Sequence, residues 1–385
     1  MTRNRTLIVL SAAATLLMIG VGMIVALLPQ RVHAETGSLE SVGLVASVFA
    51  FAYLLAQLPA GILADRLGVR PPLLAGYALC AVAGLIFFVA GNAVDIFLGR
   101  AVQGLGEAPV WALGPAVLAA VYPAAKGRAI GIYNAAIHTG LTIGPLAGLW
   151  VDPTGLARTP FLLFAAFCAA GAIVVAAFLP RTGKRTVQRQ DAGPALRGAG
   201  RLFAHRNSLV VLAGIVLYGA CYGSFLSVLP VTAAVTKGFG PKSVSLLFVV
   251  FYAGISVSQL VAGPLSDRHG RNPYMIGGLL LALCGLAAFL LLGKAWSFIS
   301  LGGASFGLGV FCVASLAMLN DIAPEKLKGT VSGGYYFAWA LGYVLGPLMV
   351  GTFDAVDPQA GYWILCAAMA AQVALLLRGG RAKRQ

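Results

Sequence analysis

Charge is scarce in this chain. Only 10% of its 385 residues are Asp, Glu, Lys or Arg, where an ordinary soluble domain carries about 25%. Apolar residues make up 59%, against about 45–50% in soluble domains, and a water-soluble globule is excluded. The six cysteines, Cys80, Cys168, Cys221, Cys284, Cys312 and Cys366, form no C-x-x-C pair and sit inside apolar runs, so neither a metal cluster nor a disulfide framework is indicated. They read as small core residues. The chain has no G-x-x-x-x-G-K-[ST] to cradle ATP and no H-E-x-x-H, so neither an enzyme nor a cofactor is expected. The 49 glycines and 19 prolines are spread through the apolar stretches rather than gathered in tails, which suits packed membrane helices and not a disordered or collagen-like chain.

What the chain has in quantity is apolar runs of spanning length, about 20 residues each. They fall at 7–28, 42–62, 73–92, 94–120, 129–151 and 160–180, then at 208–234, 243–263, 274–293, 296–319, 329–352 and 359–378. One long polar segment, residues 181–207, separates six from six. The expected fold is an all-α membrane protein of 12 transmembrane helices in two six-helix bundles, 1–180 and 208–385, joined by a basic cytoplasmic linker over 181–207. A cleaved signal peptide is the alternative for the first run, because Arg3 and Arg5 precede it and Val32-His33-Ala34 follows. That run of 22 residues exceeds the usual 7 to 15, and Gly22 and Pro29 return as Gly223 and Pro230 in the seventh run.

The recurrence is general. Gln57, Gly61, Asp65, Arg66 and Gly68 return as Gln259, Gly263, Asp267, Arg268 and Gly270, and Lys126, Gly127, Gly131, Tyr133, Gly140, Gly144 and Pro145 as Lys328, Gly329, Gly333, Tyr335, Gly342, Gly346 and Pro347, each displaced by 202. One six-helix unit occurs twice. Six spans per unit give both copies the same orientation, so they are parallel repeats that can rock about a central site. With a cytoplasmic N terminus, 21 Lys and Arg fall in inside segments and 5 outside (Arg31, Arg158, Lys237, Lys242, Lys294), placing both termini in the cytoplasm. The formal charge of +15 is therefore topological, with anionic lipid head groups as a secondary contact and no nucleic-acid partner.

The segment Gly61-Ile-Leu-Ala-Asp65-Arg66-Leu-Gly68-Val69-Arg70 and its copy Gly263-Pro-Leu-Ser-Asp267-Arg268-His269-Gly270-Arg271 close the second span of each half. They resemble the loop signature of the major facilitator superfamily, G-x-L-x-D-R-x-G-R-[RK]. The resemblance covers essentially the whole chain and implies two six-helix bundles working by alternating access. Gly61 and Gly68 would permit close helix approach and a tight turn, and Asp65 would meet a helix N-terminus or an arginine to hold a cytoplasmic gate shut, or else Asp65 and Arg66 merely cap the span. Val69 departs from the basic residue of the family pattern, so the first loop is expected to latch less firmly than the second.

Arg100-Ala-Val-Gln103-Gly104-Leu-Gly106-Glu107 in the fourth span resembles the family's R-x-x-Q-G-x-G segment. Steps of three and four put Arg100, Gln103 and Glu107 on one helical face, with Glu107 near mid-span. A carboxylate there is expensive unless it is functional or paired. It is either a group that takes up and releases protons near neutral pH or a static ion-pair partner of Arg100. Gly140-x-x-x-Gly144-Pro145-x-x-Gly148 in the fifth span resembles the family's antiporter motif, which implies export by exchange. Plain small-residue packing is the alternative, and Gly342, Gly346, Pro347 and Gly351 repeat the pattern. Asn134, His138 and Thr142 form a polar stripe on the same helix, with His138 a proton shuttle or a hydrogen-bonding residue.

Tyr218, Tyr222, Phe225, Tyr335, Tyr336, Trp339 and Tyr343 gather in the seventh and eleventh spans, as a cavity lining (Tyr222, Tyr336 and Trp339 above all) or as interhelical filling. Gln57 and Gln259 are cavity residues or interhelical glue. The expected function is proton-coupled export of small amphipathic or drug-like solutes in a bacterial-type inner membrane, similar to the drug:proton antiporter group, with the solute between the halves. No acid lies in residues 7–28, where that group often carries one, and Gly106-Glu107-Ala108 also resembles lipid carriers of the Spinster type and organic-anion carriers. A non-transporting sensor and a uniporter are the rivals. A monomer suffices for the mechanism.

Overall fold

A computed structural model describes residues 3–122, 126–152, 157–179, 206–322, 328–353 and 357–381. The expected linker lies outside the described residues up to position 205. The first half runs α1 (Arg3–Val25), α2 (Leu27–Thr36), α3 (Leu39–Leu67), α4 (Arg70–Val89), α5 (Ala93–Val121), α6 (Lys126–Val151) and α7 (Thr159–Phe178). The second runs α8 (Arg206–Leu226), α9 (Val228–Lys237), α10 (Pro241–His269), α11 (Arg271–Leu291), a 3-10 turn Lys294–Trp296, α12 (Ser297–Ile322), α13 (Lys328–Phe353) and α14 (Ala360–Arg381). Among the described residues, ten helices are long and apolar enough to cross a membrane. Outside that set, α5 and α6 run for 29 and 26 residues and carry Arg100, Gln103, Glu107, Asn134 and His138.

The first and seventh runs, read as single spans, are each two helices. Proline is the reason. Pro29 and Pro230 have no N–H for the carbonyls of Val25 and Leu226 four residues back, and their rings crowd those carbonyls. α1 ends at Val25 and α8 at Leu226. At the opposite end of the second span, Gly68 and Gly270 turn the chain with φ of 83° and 89°, a region that side chains rarely adopt.

Two compact units follow from the packing, Met1–Gln188 with Ala233–Val249, and Arg189–Thr232 with Val250–Gln385. In the first, α1 packs on α6 and α7, α3 on α5, and α4 on α5 and α7. In the second, α8 packs on α13 and α14, and α11 on α12 and α14. Small residues set these approaches. A Cβ on Gly144 would lie 2.5 Å from the Gly22 Cα and from the Ile19 carbonyl, and one on Gly140 would lie 2.7 Å from the Thr15 carbonyl. In the second unit, Gly342 meets the Val216 carbonyl and Gly346 the Ala220 backbone in the same way. Duplicated tyrosines tie the neighbouring helices. Tyr133 donates to the Val110 carbonyl at 2.9 Å, and Tyr335 to the Cys312 carbonyl at 3.4 Å.

One expectation is corrected. Gly61 serves no close approach, because nothing lies within 4 Å of a Cβ built on it, whereas Gly68 makes the turn. Gly144→Leu is therefore expected to lower stability by about 1–3 kcal/mol through overpacking of α1 on α6. Gly61→Ala is expected to leave it unchanged. Thermal unfolding of the two purified variants checks the contrast, and an equal fall in both midpoints overturns it.

Candidate functional site

The polar row on α5 begins with its anchoring. Asn92 caps the helix by accepting from the Asp95 N–H at 3.1 Å, and Asp95 accepts from the Gly91 N–H at 2.9 Å. Gly104 and Gly106 then press α5 onto two neighbours. A Cβ on Gly104 would run into the Phe49 carbonyl of α3, and one on Gly106 would sit 2.7 Å from the Gly76 carbonyl and the Cys80 sulfur of α4. Side chains between those contacts are sealed, and Arg100, Gln103 and Glu107 are 5%, 0% and 3% exposed.

Sealed polar groups must satisfy one another. The Arg100 guanidinium donates through Nε to the Val45 carbonyl at 3.0 Å and through an NH group to Gln103 Oε1 at 2.9 Å, with its carbon 4.4 Å from the Phe49 ring centroid. Gln103 Nε2 passes the chain on to Glu107 Oε1 at 2.8 Å. The Trp111 indole N–H reaches Glu107 Oε2 at 3.3 Å. Gln103 is thus the bridge between cation and carboxylate, its amide presenting an acceptor to one and a donor to the other. Sequence spacing brought the three residues to one face. It did not flag Trp111, though the indole stands one turn beyond Glu107, nor the Val45 carbonyl and the Phe49 ring on α3.

The row is not duplicated. A displacement of 202 puts Gly302, Ser305, Gly309 and Val313 where Arg100, Gln103, Glu107 and Trp111 stand.

On α6, His138 Nδ1 lies 2.9 Å from the Asn134 carbonyl, and Thr142 Oγ1 donates to the His138 carbonyl at 2.8 Å. A carbonyl can only accept, so Nδ1 carries the hydrogen and Nε2 is the nitrogen left to take a proton. Asn134, His138 and Thr142 are half-buried. Gly140, Gly144 and Gly148 occupy the α6 face against α1, where Gly148 comes up to Met23.

The two loop motifs differ. In the second copy Arg271 pairs with Asp267, donates through Nε to Asp321 Oδ2 at 3.0 Å, and reaches Ser266 Oγ at 2.9 Å. In the first, position 69 is Val, Arg70 donates to the Ala176 carbonyl, and the Asp65 side chain is outside the described ones. Arg66 and Arg268 are exposed. Asp321, at the end of α12, was not singled out from the sequence.

In the second unit Tyr222 is the hub of an aromatic cluster, with ring centroids 6.0 Å from Tyr218, 5.2 Å from Phe251, 5.6 Å from Trp339 and 6.0 Å from Tyr343. Phe251, from α10, was also missed, and it stacks on Phe225 at 3.7 Å. Gln259 Nε2 lies 3.8 Å from the Cys312 sulfur, which also receives the Tyr335 hydroxyl at 3.2 Å. Tyr336 meets the Tyr335 ring edge-on, with centroids 5.5 Å apart, and is 44% exposed, and Gln57 is half-buried.

The family model described as Major Facilitator Superfamily matches residues 10–243 and 212–384. Multidrug resistance protein 2 of Bacillus subtilis is 24% identical over 349 residues, 86% of this chain and 84% of that one. Among solved structures, a mutant of nucleoside transporter NupG superposes with a TM-score of 0.84 at 12% identity, over 97% of this chain and 99% of that one. The human organic anion transporter MFSD10 superposes with a TM-score of 0.72 at 17% identity, over 98% and 100%.

The bridging geometry has a measurable consequence. Gln103→Leu leaves a buried guanidinium N–H and a buried carboxylate oxygen each without its partner, and is expected to cost about 3 kcal/mol or more. Ser305→Ala at the matching position of the second unit is expected to cost under about 1 kcal/mol. Denaturant unfolding in detergent compares them, and equal losses would remove the special status of the α5 row.

Proposed function

The chain belongs to the major facilitator superfamily, and from that membership we propose that it is a proton-coupled exporter that exchanges protons for small amphipathic or drug-like solutes by alternating access. It is a multi-pass membrane transporter; the reading adds a bacterial-type inner membrane, cytoplasmic termini and a monomer as the working unit. The observation that carries the proposal is the sealed and unduplicated Arg100–Gln103–Glu107 row, which the half-buried Trp111 extends. A packing device is repeated in both halves of this chain, and this row is not.

Glu107 is the proton carrier in this reading. A proton placed on Oε2 turns that oxygen from an acceptor into a donor and weakens its hold on the indole of Trp111, so the two protonation states differ in shape as well as in charge. A solute that prefers one state shifts the proton equilibrium, and the proton shifts solute affinity by the same factor. His138, with Nε2 available, is assigned as a second proton carrier. Gln57, Asn134, Gln259, Tyr222, Tyr336 and Trp339 are assigned to the solute path, and the aromatic hub at Tyr222 offers ring faces to a flat or cationic solute. Asp65, Arg66, Gly68 and Arg70, with Asp267, Arg268, Gly270 and Arg271, are assigned to the cytoplasmic gate. Gly140, Gly144, Pro145 and Gly148 hold α6 on α1 as the antiporter helix. The relative from Bacillus subtilis, named for multidrug resistance, supports the export direction.

A second reading has its own observation. Arg100 is a permanent cation in the same row, held in place by the Val45 carbonyl and the Phe49 ring. That arrangement suits an anionic solute, an organic anion or a lysolipid, carried by symport or uniport.

Proton exchange measured on the purified protein in detergent decides between them. Cationic drugs, organic anions and lysolipids are added in turn to wild type and Glu107→Gln in weakly buffered solution. Proton release by wild type with a cationic solute, lost in the variant, is the expected result. Uptake with an anion favours the second reading. Equal release from both proteins removes Glu107 as the carrier.

A further inference from the structure

At the end of the first unit remote from Gly68, the tips of α2, α4, α5 and α7 surround a cavity of about 280 Å³ lined by Arg31, Glu35, Ala90, Asn92, Ile96 and Arg158 among others. Two arginines meet there. Arg31 donates to the Phe87 and Ala90 carbonyls, each at 3.3 Å, with its guanidinium carbon 5.3 Å from the Phe161 ring centroid. Arg158, at the start of α7, donates to the Phe88 carbonyl at 3.3 Å. Both therefore converge on the last carbonyls of α4, which attract cations.

Capping does not account for the whole arrangement. One guanidinium has five N–H donors and can serve several carbonyls, while a second brought within electrostatic reach of the first adds repulsion. Nor does the repeated fold call for the pair. The displacement of 201 that relates Pro29 to Pro230 puts Thr232 and Thr236 at the places of Arg31 and Glu35, and residue 360, 202 beyond Arg158, is Ala. The charges belong to the first unit alone. Arg31 is also fixed in place, because carbonyls and a ring hold it before any ligand arrives.

We propose that this cavity binds a phosphate that carries an ammonium group, the chemistry of phosphoethanolamine, with the phosphate between Arg31 and Arg158 and the ammonium on Glu35. Guanidinium forks match phosphate oxygens, and a carboxylate beside them selects a zwitterion over a simple anion. The depth suits a lipid head group. α4 has 20 residues, so at about 1.5 Å per residue it spans about 30 Å of hydrocarbon and its end at Ala90 reaches the head-group level.

The test titrates the full-length protein, stripped of lipid in detergent, with phosphatidylethanolamine, phosphatidylglycerol and free phosphoethanolamine, and counts bound copies by native mass spectrometry. Phosphatidylethanolamine is expected to bind wild type about tenfold more tightly than phosphatidylglycerol. Arg31→Gln and Arg158→Gln are each expected to remove that preference by weakening the first lipid, and Glu35→Gln to remove it by strengthening the second. Arg158 and Glu35 are exposed, so their variants test the site even if loss of Arg31 prevents folding. Competition by free phosphoethanolamine at similar affinity identifies a soluble ligand, and its failure to compete identifies the lipid. Equal affinity for the two lipids in wild type, or unchanged binding by Arg158→Gln, overturns the assignment.

Discussion

In hydrocarbon no water completes an unfinished hydrogen bond, so a charge can be kept there only where the protein supplies every partner. The α5 row is built under that constraint. Gly104 and Gly106 bring the backbones of α3 and α4 against α5, which shuts solvent out, and the same closeness delivers the Val45 carbonyl to Arg100. Burial and satisfaction come from one packing decision. A larger residue at 104 or 106 would separate the helices and at once expose and unpair the row.

The twofold repeat sorts the molecule into what holds it together and what it does. Helix breaks before Pro29 and Pro230, turns at Gly68 and Gly270, the glycine contacts of α6 on α1 and of α13 on α8, and the ties from Tyr133 and Tyr335 all occur twice. Each solves a problem that any six-helix unit of this kind meets. Among the described residues, the charged row of α5, the arginine pair at the tip of α4 and the Asp267–Arg271–Asp321 cluster occur once. With Val at position 69 and Ala at position 119, the first loop has no counterpart of Arg271 or Asp321.

Much of this was legible in the sequence, because repetition and helical spacing are properties of residue order. Twelve apolar runs, their division into six and six, and the common face of Arg100, Gln103 and Glu107 follow from position alone. The breaks at Pro29 and Pro230 were spelled out by the recurrence of those prolines, yet the runs read as single spans because their hydropathy is continuous. Other features were illegible because their partners are remote. The Val45 carbonyl is a backbone atom that any residue would offer, Phe251 joins the aromatic hub from another helix, and Asp321 meets Arg271 across 50 positions. Gly61 misled for the opposite reason, since its motif suggested contact and its surroundings are open.

The row also bears on how one scaffold can serve solutes of opposite charge. Arg100 keeps its proton at any physiological pH, so the Arg100–Glu107 pair is neutral when the carboxylate is ionised and carries one positive charge when it is protonated. A cation near the row therefore favours the ionised state and drives a proton out, which is exchange. An anion favours the protonated state and draws a proton in, which is co-transport. In the proposed mechanism linkage makes each effect reciprocal, so a proton gradient would drive the two solutes in opposite directions through the same residues. In a row of this composition the direction of coupling is set by the charge of the solute, and the bundle supplies only the sealed place in which the difference is felt.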